Sequence, residues 1–158
     1  VERSTSYGAQ RIVARKHGQP IASRDLPPTL PPMAAGFQRW RQLWSTMMDV
    51  ANTGAAQARA GKRVALFGAG MTAATWLVYS DLFDAPIVGC LDESPWKIGR
   101  PFFGRTVHAL AEVTQLRLDA ILVAAMPNSQ PNIRKKLLGL DLAGAEIISV
   151  PALEGHAV

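Results

Sequence analysis

The chain has a single cysteine among 158 residues, few aromatic side chains and no long apolar run. One cysteine excludes an internal disulfide framework and a cysteine-built zinc site. Cys90 lies inside the apolar run IVGCLD, where a thiol reads as a small inert hydrophobe rather than a nucleophile. No apolar stretch approaches the ~18 residues that a membrane-spanning helix requires. The first residues, VERSTSYGAQRIVARKHG, are too polar for a secretory signal. The expectation is a cytoplasmic protein with no membrane partner. Acidic residues are scarce in the first part of the chain. Residues 1–63 carry a net charge of +7 and residues 64–158 a net charge of −2. The basic residues are scattered, with no helix-turn-helix, zinc-finger or aromatic RNA-binding pattern beside them. A solvated or docking segment is therefore expected there, and nucleic acid is not an expected partner.

What is present is a globular composition, 48% apolar and 18% charged, enough for one packed domain with an appendage. Residues 1–35 read as an N-terminal extension and linker. Within them AQRIVARK alternates weakly, as one strand would. RDLPPTLPP, residues 24–32, carries two Pro-Pro pairs that favour an extended, polyproline-like path. Residues 36–61 read as an amphipathic helix. Phe37, Trp40, Leu43, Trp44, Met47, Met48 and Val50 fall on helical spacing, Gly54 weakens the middle and Gly61 is a stop. The aromatic and methionine stripe is expected to be a packing face; the alternative is a cap on a partner domain.

Residues 62–150 alternate strand and helix, and residues 151–158 form a tail. KRVALFGAG gives a strand and a glycine turn, MTAATWLVYSDLF a helix, and APIVGCLDES a second strand. WKIGRPFFGRTV gives an irregular loop or hairpin, and HALAEVTQLR a short helix. LDAILVAAM is a strand buried on both faces, SQPNIRKKLLGLDL a helix, and AEIISV the last strand. The fold class that follows is α/β: a compact Rossmann-like open parallel sheet of about five strands, flanked by helices.

Gly68-Ala69-Gly70-Met71-Thr72-Ala73 reads as G-x-G-x-x-A. The first glycine permits a tight turn, the second leaves room for a ligand at the backbone, and the small last residue lets the helix pack on the sheet. Free N–H groups at the helix start and the helix dipole favour an anion there. Asp92, 22 residues after Gly70, ends the second strand beside Glu93. An acid at that place accepts hydrogen bonds from ribose hydroxyls and disfavours a ribose phosphate, so NAD is preferred to NADP. Asn128 and Ser129, with Asn132, follow the central strand and would line the opposite wall; helix capping is their other reading. The candidate binding residues are therefore Gly68, Ala69, Gly70, Met71, Thr72, Asp92, Glu93, Asn128 and Ser129. Arg134 is expected to reach an anionic group or lie on a solvated helix face. Trp96, Phe102 and Phe103 stack on a base or close the sheet edge. His17, His108 and His156 lack metal-ligand spacing, and no metal site is expected. No catalytic residues are assigned, because neither a Tyr-x-x-x-Lys pair nor a His beside an acid stands out.

GKRVALFGAGMTAATWL, IVGCLDESPWKIGRPFFGRTV and LDAILVAAMPNSQPNIRKKL together resemble the Rossmann-like carboxyl-terminal domain of S-adenosylmethionine-dependent sugar C-methyltransferases. They are also similar to the nucleotide-sugar-binding amino-terminal domain of bacterial sugar acetyltransferases. SYGAQRIVARK resembles the final strand of a class I methyltransferase domain. The resemblance implies a nucleotide or nucleotide-sugar ligand, an accessory role beside an upstream methyltransferase domain, and S-adenosylmethionine bound only in that upstream domain. Two further readings stay open: a docking or homodimerising domain with an empty crevice, and an NAD-binding redox module.

Overall fold

The computed structural model describes residues 2–6, 9–13, 31–142 and 144–151, with side chains from Gly36 onward. The proline-rich residues 24–30, the basic residues 14–24 with His17, and the tail 152–158 with His156 lie outside the described residues. The chain divides into two units, residues 1–36 and 37–158. The first contains strands β1 (Glu2–Ser6) and β2 (Ala9–Val13), paired antiparallel with Glu2 opposite Val13. Helix α1 spans Pro31–Arg59. Pro31 and Pro32 thus open a helix rather than end a linker, as proline can where the first-turn N–H groups have no intrahelical partner.

The second unit holds a six-stranded sheet. Its strands are β3 (Val64–Phe67), β4 (Gly89–Asp92), β5 (Pro101–Phe102), β6 (Arg105–Ala109), β7 (Ala120–Val123) and β8 (Glu146–Ile148). Its order is β5-β6-β4-β3-β7-β8, parallel from β6 to β8, with β5 antiparallel at one edge. This is the Rossmann-like α/β arrangement. Helix α2 (Met71–Tyr79) links β3 to β4, and α3 (Gln130–Leu138) lies between β7 and β8. The chain leaves β3 toward β4 and leaves β7 in the opposite direction, so the order reverses between these two neighbours. This is a topological switch point, and in open α/β sheets ligands bind outside the carboxyl ends of the strands at such a place.

Strand alternation explains the two core layers. Val64 and Leu66 join Met47, Ala51, Ala55 and Ala58 of α1 and Ala73, Trp76 and Leu77 of α2. Ala65 and Phe67 join Ile121, Val123 and Leu137 of α3 on the other face. The glycine expected to weaken α1 marks its close approach to the sheet. A Cβ on Gly54 would stand 2.3 Å from Cδ2 of the fully buried Leu122. The aromatic stripe packs only in part. Phe37 and Trp40 remain 61% and 55% exposed, stacked on each other at 6.2 Å, while Trp44 meets Tyr79 edge-on at 5.6 Å. A 29-residue helix is about 44 Å long. A four-residue strand is only about 13 Å long, so the helix outruns the layer it covers.

Residues 105–117 differ from the sequence expectation. The short helix foreseen over HALAEVTQLR is absent: Arg105–Ala109 is β6, followed by a 3-10 turn at Leu110–Glu112. Tertiary pairing overrides local propensity here, because Val107 fills the core beside Cys90 and pairs with it in register. The hairpin before it turns at Phe103 and Gly104, both at positive φ (50° and 75°), the pattern of a two-residue type I′ loop. Arg105 then donates to the carbonyls of Leu82 (3.0 Å), Phe83 and Ala85 (3.4 Å), pinning the α2–β4 connection. Both sheet edges are blunted. The β5 edge is two residues long and begins with Pro101. At the β8 edge, Glu146 N–H bonds back to Asp119, so the groups of Ile147 point outward, and Arg134 donates to the Ile147 carbonyl at 3.0 Å.

Gly54→Val is expected to lower stability by about 1–3 kcal/mol through overpacking against Leu122. Urea denaturation checks this; an unchanged midpoint would show that α1 does not press on β7 as described.

Candidate functional site

The glycine turn separates into positions with different reasons. Gly68 is fixed by the fold. Its φ is +100°, a Cβ there would stand 3.1 Å from the Ala124 carbonyl oxygen, and its N–H donates to Leu91 O at 2.7 Å. Ala73 is fully buried, so the small residue serves close packing of α2 on the sheet. Gly70 is different. Its φ of −132° and ψ of −165° suit any residue, and a Cβ there would meet nothing within 4 Å. The first helical bond is Ala74 N–H to Gly70 O at 2.9 Å, and no side chain caps the helix. The N–H groups of Met71, Thr72 and Ala73 therefore have no intrahelical acceptor. Thr72 is half-buried and Met71 is 83% exposed.

Asp92 departs from its expected role. Its residue is only 9% exposed, and its carboxylate is engaged by its own chain. Oδ2 accepts the Ala69 N–H at 2.8 Å and Lys97 Nζ at 3.0 Å, while Oδ1 accepts the Ser94 N–H at 2.8 Å. Burial pushes the carboxyl pKa up, but the Ser94 and Ala69 N–H bonds and the Lys97 ammonium outweigh it, and the net displacement is downward. The acid foreseen as a grip on hydroxyls is thus the clasp that holds the glycine turn, and the Ala69 N–H foreseen for the ligand is spent on it. Glu93 is likewise paired, with Lys136 of α3.

Asn128 and Ser129 lie on the same edge of the sheet, in a 3-10 turn at Pro127–Ser129. Both are exposed, and the Ser129 side chain makes no capping bond to α3, so the helix-capping reading does not hold for it. Asn132 is exposed one turn into α3. The residue that shapes this wall is Gln130, which is 3% exposed and which the sequence reading passed over. It donates to Ala125 O and accepts the Val150 N–H, each at 2.7 Å, bracing the end of β7 against the segment after β8. Arg134 is spent on the β8 edge rather than reaching an anion. Trp96 stands exposed after β4, Phe102 packs against the core and Phe103 meets it edge-on at 5.1 Å.

Other candidates resolve simply. Burial pushes the Cys90 thiol up to about 11, so it stays protonated and inert. A histidine beside an acid does exist. His108 Nδ1 lies 3.1 Å from Glu112 Oε2, and Glu112 also accepts the Ala109 N–H at 3.2 Å. The i, i+4 spacing was visible; the strand-to-turn geometry that joins the pair was not. Among the described residues no cluster of three or more His, Cys, Asp or Glu fits a metal ion, and no helix is long and apolar enough to cross a membrane.

No protein-family model matches the chain, and no curated protein matches it in sequence. Among solved structures, UDP-D-quinovosamine 4-dehydrogenase from Vibrio fischeri aligns with 18% identity and a TM-score of 0.44, covering 59% of this chain and 80% of that one. A likeness of that strength carries no functional inference, and neither the methyltransferase nor the acetyltransferase resemblance gains a counterpart in it.

Asp92 makes acid sensitivity predictable. Its pKa is lower folded than unfolded. The stability it contributes is therefore fully present above the ordinary carboxylate value of about 4, and is lost as pH falls through the folded value. Asp92→Asn is expected to cost about 1–3 kcal/mol at neutral pH and to flatten the acid limb of the stability profile. Urea titrations from pH 7 to pH 3 test both; parallel acid limbs in the two proteins would count against the clasp.

Proposed function

We propose that residues 62–150 bind a nucleotide or nucleotide-sugar in the crevice between β3 and β7. The observation that carries this reading is Gly70. Neither its backbone angles nor its neighbours require a glycine, and the space a side chain would fill opens beside the unpaired N–H groups that begin α2. A phosphate seated there would accept from the N–H groups of Met71 and Thr72, with the Thr72 hydroxyl in support. Gly68 and Ala69 shape the turn, Asp92 holds it open, and Asn128 and Ser129 form the facing wall, with Glu93 at the rim. The occupied carboxylate of Asp92 disfavours the NAD-binding redox module, whose adenosine ribose seeks that group. An accessory role beside a methyltransferase or another sugar-modifying enzyme completes the reading and rests on the sequence resemblances alone.

A second reading is favoured by one observation. The stacked, exposed Phe37 and Trp40 suit a docking or homodimerising role with an empty crevice. Light scattering separates the two. Under this reading Trp40→Ala reduces the mass of an oligomer; under the first it leaves the mass and nucleotide binding unchanged.

Calorimetric titration with UDP-N-acetylglucosamine, dTDP-glucose and NAD tests the binding reading. Gly70→Val is expected to abolish the heat of the nucleotide-sugars while costing no more than about 1 kcal/mol of stability at the cap. Equal binding by Gly70→Val and wild type would sink it, as would silence across the whole panel.

A further inference from the structure

Two consecutive acids at the crevice rim each hold a lysine, Asp92 holding Lys97 of the following loop and Glu93 holding Lys136 of α3. Lys97 is the more telling. The oxygen it touches at 3.0 Å is the same Oδ2 that accepts the Ala69 N–H at 2.8 Å. Its ammonium therefore stands within two hydrogen-bond lengths of the glycine turn. The Lys97 side chain is 43% exposed and that of Asp92 only 11%, so the lysine forms the solvent side of the pair. An ammonium has three donors, and Asp92 accepts one of them. Nor does the carboxylate depend on the lysine alone, since it keeps two backbone N–H groups if Lys97 swings away.

We propose that Lys97 is an anion-binding residue of the crevice, parked on Asp92 and delivered to the phosphates of a nucleoside diphosphate. This rests on the nucleotide reading above and narrows it. On binding, the ammonium exchanges a carboxylate oxygen for a phosphate oxygen, and Asp92 keeps its grip on Ala69 and Ser94. A carboxylate offers about four acceptor sites, and three are taken here, so the departure of Lys97 leaves Asp92 with its two backbone N–H groups.

The test is calorimetric titration of the full chain with UDP, uridine and inorganic pyrophosphate, at two salt concentrations. Lys97→Met is expected to weaken UDP and pyrophosphate by about tenfold or more, as loss of a charge-assisted hydrogen bond does. It should shrink the salt dependence and leave uridine unaffected. Lys97→Arg should restore most of the affinity, which guards against a folding defect in the first variant. Unchanged UDP binding in Lys97→Met, with Gly70→Val still inactive, overturns the role of Lys97 and leaves the nucleotide reading standing. Equal weakening of UDP and uridine marks a purely structural lysine and also overturns it. A wild type that binds none of the probes overturns both readings.

Discussion

A buried carboxylate joins two strands, and the site is arranged around it. Taking Asp92 out of water is costly unless its oxygens are fully occupied. Two backbone N–H groups and an ammonium supply the occupants, from the glycine turn, the Ser94 turn and the loop beyond. The end of β4, the glycine turn before α2 and the Ser94–Lys97 loop are therefore tied together. The turn that would receive a phosphate is already in place before any ligand arrives, which spares the binding step the cost of ordering it.

The G-x-G-x-x-A pattern compresses three separate constraints into six residues. Gly68 answers a clash with the Ala124 carbonyl and a left-handed backbone. Ala73 answers helix-on-sheet packing. Only Gly70 is left without an internal reason. A motif alone cannot divide its glycines between folding and recognition; a missing Cβ that would touch nothing can.

Much of the architecture was legible. β3 and β7 are short apolar runs of VALF and AILV, and strands sandwiched between two layers have that signature. The packed half of α1 presents Met47, Ala51, Ala55 and Ala58 on one helical face, and of these the sequence stripe named Met47. What escaped was set by partners distant in sequence. β6 carries one buried apolar residue, Val107, too little to announce a strand against the helical look of HALAEVTQLR. The place of Asp92 at the end of β4 is legible from its spacing after Gly70, whereas its intramolecular partners are not, because the Lys97 side chain folds back only once the loop is built. Gln130 and Arg105 reach backbone carbonyls far along the chain, and such bonds leave no periodic trace.

The blunted edges of the six-stranded sheet constrain how that unit can associate. Pro101 offers no N–H on the short β5, and the outward carbonyl of Ile147 on β8 is already taken by Arg134. Lateral growth by docking a foreign strand onto this sheet is therefore closed at both flanks. A companion molecule that docks on residues 37–151 must therefore do so through side chains on helices and loops, where substitutions can retune recognition without disturbing the backbone ladder.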